Sequence, residues 1–328
     1  MHWIQKNWFL IGLFVALALG FLLAPWSETI NQGGSTSTVV VFALFLIAGL
    51  TLPTERITQD LSRVRLHVYT QLFIFLLVPI YFQTARLFFA EQFEGALLVG
   101  LFALSVLPTT ISTGVVLTQS SGGNSVAALF NAALSNTAGV LISPLLLSIL
   151  LSTSGRALPV SELLETLRDL SLTMLLPILI GQLARIRLKT WITTRKKTFG
   201  IVSNSLILVI VVLVFSRTAA DPRFAELAPQ LGWPALYIGI SHLILVALAI
   251  MGAKLLRLPD KDQVAVMFMA PQKTLALGAP LLTIYFSGQS VAGFALLPLL
   301  IYHPLQILVA GFLKSLPLVR RAQESGKS

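Results

Sequence analysis

The chain has 328 residues, 55% of them hydrophobic and only 11% charged. A soluble domain carries about a quarter charged residues, so this composition excludes an ordinary water-exposed globule. The absence of cysteine excludes disulfide scaffolds, thiolate metal sites and cysteine nucleophiles, and a net charge of +10 on so few charges reads as membrane sidedness rather than nucleic-acid binding.

A helix needs about 20 apolar residues to cross the hydrocarbon layer. In chain order, the first half offers candidate spans near 7–24, 37–52, 67–89, 96–117 and 125–151. The second half offers 170–184, 200–215, 233–253, 263–285 and 291–313. The second and seventh are short, which leaves room there for a fused or re-entrant segment. The first is expected to be retained rather than cleaved, because its apolar run exceeds a signal-peptide core and no small-x-small cleavage site follows. The loops are short, and no appended soluble domain is expected.

Ten spans sort the basic residues unevenly. With the amino terminus inside, 17 Lys and Arg fall on the inner side and 5 on the outer, with Lys273 alone within a span. The inner set includes Arg63, Arg65, Arg185 to Lys197, and Lys254 to Lys261. This asymmetry predicts a multi-pass protein with both termini cytoplasmic, expected in the cell (inner) membrane. The basic run from Arg185 to Lys197 is expected to face anionic lipid head groups.

The fourth span contains Leu107-Pro108-Thr109-Thr110-Ile111-Ser112-Thr113-Gly114, and the ninth contains Ala270-Pro271-Gln272-Lys273-Thr274-Leu275-Ala276-Leu277-Gly278. Pro108 and Pro271 are 163 residues apart, close to half the length of the 328-residue chain. Five spans per half is an odd number, so the halves (1–160 and 161–328) enter from opposite sides, the inverted repeat of many secondary transporters. Proline removes a backbone donor. In lipid the freed carbonyls must be satisfied by protein, water or an ion, so two interrupted helices at matching positions predict a polar site near the midplane.

Lys273 is the only charge deep in a span, with no intramembrane carboxylate to pair it, and such a charge is a site candidate. It can be neutral, face a hydrated cavity or bind an anion. Asn131 and Ser135 share a face of the fifth span, with Asn136 one position round. These three can act as interhelical glue, or their oxygens can ligate a small cation. His303 lies in a further interruption, Tyr302-His303-Pro304-Leu305-Gln306, as a packed residue or a relay. Thr109, Thr110, Ser112, Thr113, Asn131, Ser135, Asn136, Gln272, Lys273, Thr274 and His303 are therefore expected to line a central site. No nucleophile elbow, paired carboxylates, metal-spaced histidines or phosphate-cradling loop is present, so an enzyme is not expected.

These interrupted segments, with Ile47-Ala48-Gly49-Leu50-Thr51-Leu52 and Ala128-Leu129-Phe130-Asn131-Ala132-Ala133-Leu134-Ser135-Asn136, resemble the bile acid:sodium symporter family. The Pro-Gln-Lys-Thr-Leu-Ala segment is similar to the subgroup related to vertebrate solute carrier family 10 member 7. The resemblance implies an all-helical fold of ten spans. A panel of spans one, two, six and seven would face a core of spans three to five and eight to ten, with broken helices four and nine crossing in the core. It implies alternating-access, sodium-coupled uptake of small organic anions such as bile acids, sterol sulfates or small carboxylates. Thr113, Ser135, Asn136 and Gln272 then match sodium ligands, and Gln71 loosely matches a third-span Gln. Better-known members carry a Glu on the ninth span. Here that position, Phe268 or nearby, holds no acid, and Lys273 stands where those members have an uncharged amide. A fixed ammonium replacing a sodium ion, giving a sodium-independent carrier, is one alternative. A non-transporting membrane regulator, for instance of calcium handling, is another. No cofactor is expected apart from sodium.

Overall fold

The computed structural model describes residues 2–52, 63–89, 95–153, 168, 171–222, 224, 231–286 and 292–325, with side chains left aside at 2–7, 33, 85–89, 112, 152, 153 and 171. The boundary at 160/161 and several counted loop charges, Arg56, Arg156, Arg223 and Lys327 among them, lie outside the described residues.

Every regular element among the described residues is helical. That is the outcome expected of a backbone that must satisfy its own polar groups in lipid. The helices are α1 (His2–Leu22), α2 (Ser27–Asn31), α3 (Ser35–Thr51), α4 (Val64–Leu72), α5 (Val78–Phe89), α6 (Gly95–Val106), α7 (Ser112–Ser120) and α8 (Ser125–Thr153). They continue with α9 (Leu176–Thr194), α10 (Lys196–Ala220), α11 (Gly232–Leu255), α12 (Asp260–Met269), α13 (Leu275–Tyr285), α14 (Ala292–Leu313) and α15 (Pro317–Glu324).

Five stretches among the described residues are long and apolar enough to cross a membrane: Val64–Thr84, Ser125–Leu151, Lys196–Ala220, Gly232–Leu255 and Ala292–Leu313. Trp8–Leu22 and Ala24–Asn31 make a sixth if counted together across a 66° bend. Pro25 sits in the tight turn at that bend, where its ring cannot continue the preceding helix. Ser35–Thr51, Gly95–Val106 and Leu275–Tyr285 are shorter apolar helices. The expected short seventh span is instead the 25-residue α10. Its ends carry Lys196, Lys197 and Arg217, so the apolar stretch alone understated the helix. Large apolar side chains such as Phe14, Leu183, Ile186, Leu255 and Phe312 are exposed, a surface suited to lipid rather than water.

Close packing depends on small residues, as in other membrane helices. A Cβ on Gly49 of α3 would strike the Ile178 backbone of α9, and one on Gly181 of α9 would strike the Leu46 carbonyl of α3. Gly100 of α6 likewise lies directly on the Ala295 carbonyl of α14. α3 packs against α9 and α10, and α1 against α10. α6 packs against α8 and α14, and α12 against α7, α8 and α11.

Two interruptions matter most. α6 stops at Val106 and α7 begins at Ser112; α12 stops at Met269 and α13 begins at Leu275. Pro108 and Pro271 fall in the two gaps. The gaps touch through backbone: Thr274 N–H donates to the Pro108 carbonyl at 3.0 Å. At one end, α15 lays Leu318, Val319 and Ala322 against Val264, Met267 and Phe268 of α12. Asp262 is buried in the first turn of α12. Arg63 Nη1 donates to it at 2.5 Å and Asn124 Nδ2 at 2.8 Å.

Candidate functional site

The carbonyls left over where the helices break define the site. A helix end leaves its last carbonyls without intrahelical partners, and burial makes each unmet acceptor costly. After α6, the Val106 carbonyl accepts from Ser143 Oγ at 2.7 Å. The Pro108 carbonyl accepts from Thr274 N, and the Thr109 carbonyl from Asn136 Nδ2 at 2.8 Å. The carbonyls on either side of Val106, those of Ser105 and Leu107, accept from Lys273 Nζ at 2.9 and 2.8 Å.

A third acceptor comes from the span that begins with α4. Between α4 and α5, Phe73–Leu77 forms a wide π-type turn, and Val78 N–H donates to the Phe73 carbonyl. The next residue, Pro79, has no N–H to offer the Ile74 carbonyl. Lys273 Nζ fills that role at 3.2 Å. An ammonium has three N–H donors and no acceptor, so the three carbonyls match it one for one. Lys273 is 1% exposed. Its Nζ also sits at the carboxyl-terminal end of α6, where the helix dipole favours a cation.

The Lys273 backbone is equally constrained. Its N–H donates to Gln306 Oε1 at 2.8 Å, and its carbonyl accepts from Gln306 Nε2 at 3.0 Å. Gln306 Nε2 also lies 3.1 Å from His303 Nδ1. Tyr302 Oη donates to the Pro271 carbonyl at 2.6 Å and contacts His242 Nδ1 at 2.8 Å. Polar side chains of α14 therefore replace helical hydrogen bonds that the break at Pro271 removes, with His242 of α11 behind Tyr302.

Between the start of α7 and the gap after α12, Thr113 Oγ1 donates to Thr110 Oγ1 at 2.8 Å, and Thr110 Oγ1 donates to Gln272 Oε1 at 2.7 Å. Gly114 N–H donates to the same Thr110 oxygen at 3.1 Å. Asn136 Nδ2 bridges the Thr109 and Ala132 carbonyls, leaving its oxygen side uncommitted among the hydrogen bonds described. Ser135 is fully buried and donates locally to the Ala132 carbonyl at 3.3 Å. Thr109 Oγ1 is buried without a hydrogen-bond partner among the described residues.

Of the eleven residues expected to line a central site, Thr109, Thr110, Thr113, Asn136, Gln272, Lys273 and Thr274 meet where the two gaps touch, and Ser135 lies beside Asn136, bonded within its own helix. His303 joins through Gln306, with its ring edge against Phe9 at 5.7 Å. The Thr274 hydroxyl caps α13 by accepting from Ala276 N. Asn131 belongs to a neighbouring cluster, bonded to Gln71 Nε2 at 3.0 Å and lying 2.9 Å from His67 Nδ1. Ser112 begins α7, and its side chain lies outside the described residues. Ser105, Ser143, Tyr302 and Gln306 were not expected. Gln306 carried a signal, standing two residues after Pro304 in an interrupted segment. Among the described residues no group of His, Asp or Glu has the arrangement of a metal centre.

Two gaps between helices joined by a backbone hydrogen bond, with Lys273 Nζ held by backbone carbonyls, suit a solute carrier, and a model of the SBF-like CPA transporter family matches residues 7–316. The chain belongs to this family. It is similar to sodium/bile acid cotransporter 7-B of Xenopus laevis, at 32% identity over 97% of this chain and 94% of that protein. It is also similar to sodium/bile acid cotransporter 7 of Xenopus tropicalis, at 32% over 94% of this chain and 91% of that protein. The same-named protein of Mus musculus is 31% identical over 94% and 92%. An SBF-like transporter is a multi-pass integral membrane protein and not an enzyme. The resemblance carried by Pro271-Gln272-Lys273-Thr274-Leu275-Ala276 is thereby met along nearly the whole chain.

Proposed function

We propose that this SBF-like transporter moves a small organic anion across the membrane by alternating access, with sodium as the coupling ion. The observation that carries the reading is the contact of two interrupted helices, Thr274 N to the Pro108 carbonyl at 3.0 Å, with polar side chains gathered around it. Secondary transporters place solute and ion sites at such breaks. The names of the relatives, sodium/bile acid cotransporters, support bile acids as the first solutes to test, with sterol sulfates and small carboxylates as further organic anions.

In this reading the chain has ten spans in two inverted five-span repeats, 1–160 and 161–328. The α6–α7 and α12–α13 pairs are the broken fourth and ninth. α1, α3, α9 and α10 form a panel against which the remaining spans move. The mutual packing of α3 with α9 and α10, and of α1 with α10, supports this division. The charge asymmetry supports cytoplasmic termini. Thr113, Ser135, Asn136 and Gln272 are the proposed sodium ligands. Their hydroxyl and amide oxygens are hard ligands; Thr113 lies on α7, Gln272 in the gap after α12, and Ser135 and Asn136 on α8, which packs against α7 and α12.

The test is the melting temperature of the purified transporter in sodium against choline chloride, with and without a panel of bile acids, sterol sulfates and small carboxylates. Sodium is expected to raise it, and one anion class to raise it further in sodium. A melting temperature insensitive to sodium would overturn sodium coupling. A transporter that reconstitutes but carries no solute of the panel would favour the regulator reading.

A further inference from the structure

We infer that the three carbonyls of Ile74, Ser105 and Leu107 form a monovalent-cation site that the chain fills with its own ammonium, so that Lys273 acts as a tethered ion.

The argument starts from the acceptors. Each of the three carbonyls is released by a specific break: Ile74 by the wide turn and Pro79, Ser105 and Leu107 by the end of α6 around Pro108. They come from two separate spans and converge on one point at 3.2, 2.9 and 2.8 Å. Convergent carbonyls freed from interrupted helices are how membrane carriers coordinate sodium and protons. Without a group that donates to all three, buried acceptors would point at one another, and each one left unmet would carry a desolvation cost.

The tether comes next. Lys273 reaches the cage from the third element, the gap between α12 and α13, and its backbone is fixed by both ends of the Gln306 amide. The ammonium is therefore held at one place relative to α6 and to the turn after α4. It carries the positive charge that the α6 terminus favours, and it needs no carboxylate. A free ion binding here would join the same three segments, but it could leave. The tethered ammonium makes the junction permanent. The residues proposed for sodium, Thr113, Ser135, Asn136 and Gln272, take no part in the cage. The inference thus stands apart from the solute and the coupling ion.

The experiment is chemical rescue. Lys273→Ala keeps Cβ and removes Cγ, Cδ, Cε and Nζ, the heavy atoms of n-propylammonium. The purified full-length variant is melted in buffers containing n-propylammonium, 1-propanol or tetraethylammonium, beside the unsubstituted protein. The expected result is a lowered melting temperature in Lys273→Ala, raised by several degrees by n-propylammonium alone. 1-Propanol fills the same space without the charge and is expected to do nothing, as is tetraethylammonium, which has no N–H. The unsubstituted protein is expected not to respond. A rescue by 1-propanol as large as by n-propylammonium, an equal response of the unsubstituted protein, or a folded variant insensitive to the amine would each overturn the inference. If Lys273→Ala does not accumulate folded, it is prepared with each additive present. Folded yield restored by n-propylammonium and not by 1-propanol supports the tethered ion, and yield restored by both or by neither overturns it. Because the readout is folding, the result is independent of any flux measurement.

Discussion

Gln306 grips Lys273 by its own peptide groups: Oε1 accepts from Lys273 N at 2.8 Å, and Nε2 donates to the Lys273 carbonyl at 3.0 Å. One side-chain amide thus supplies a donor and an acceptor that the helix would have supplied had it continued past Pro271. Gln306→Leu keeps the bulk and removes both. Each buried backbone group left without a partner costs about 1–3 kcal/mol, so the variant should melt well below the parent in detergent. Gln306→Leu melting with the parent would show that the grip adds nothing.

Lys273 was legible in the sequence as the one charge deep in a span, and the Pro-to-Gly segments as breaks. What met the charge was not legible, because the partners are backbone carbonyls and carry no side-chain signature. Pro79 and Pro108 are the residues that free them. Pro79 gave no hint that the turn before it widens. Ser143 and Tyr302 look like ordinary span residues until the carbonyls of Val106 and Pro271 are traced to them. The extent of α10 was hidden for the opposite reason: its last turns are polar, and an apolar count stops before they do.

Asp262 joins the start of α12 to Arg63 and Asn124. Asp262→Ala leaves the Asn124 amide with a lost acceptor and Arg63 without its partner. Hydrogen bonds to charged groups contribute about 1.5–3 kcal/mol. The expected outcome is a stability loss near that range, largely restored in Asp262→Asn for the Asn124 contact alone. Thermal unfolding of the two variants checks it, and equal melting of Asp262→Ala and the parent would refute it.

Gly100 meets the Ala295 carbonyl with no room for a Cβ, whereas Gly200 faces open space. Gly100→Val should force α6 and α14 apart and abolish the monodisperse species in size-exclusion chromatography. Gly200→Ala should leave it intact, since alanine is favoured over glycine within a helix. Matched profiles for the two variants would contradict the packing.

Ser135 and Asn136 are proposed to ligate sodium together with Thr113 and Gln272. The Ser135→Ala/Asn136→Ala double variant should fold with a lower melting temperature, since the Thr109 carbonyl loses its donor, and should lose the sodium-induced rise. A preserved rise would remove these two residues from the ion site.

A background without cysteine makes sidedness directly measurable. Ser325→Cys should react with a membrane-impermeant maleimide only after permeabilisation, and Gly232→Cys should react in intact cells. The reverse pattern would invert the proposed orientation.

The central claim, sodium-driven carriage of an organic anion, is tested most directly by uptake into proteoliposomes containing the purified transporter. Labelled bile acid, sterol sulfate and carboxylate probes are offered with an inward sodium gradient and without one. The account predicts saturable accumulation of at least one class, driven by the gradient and lost when it is collapsed. Uptake that never saturates, or saturable uptake indifferent to sodium for every probe, would contradict it.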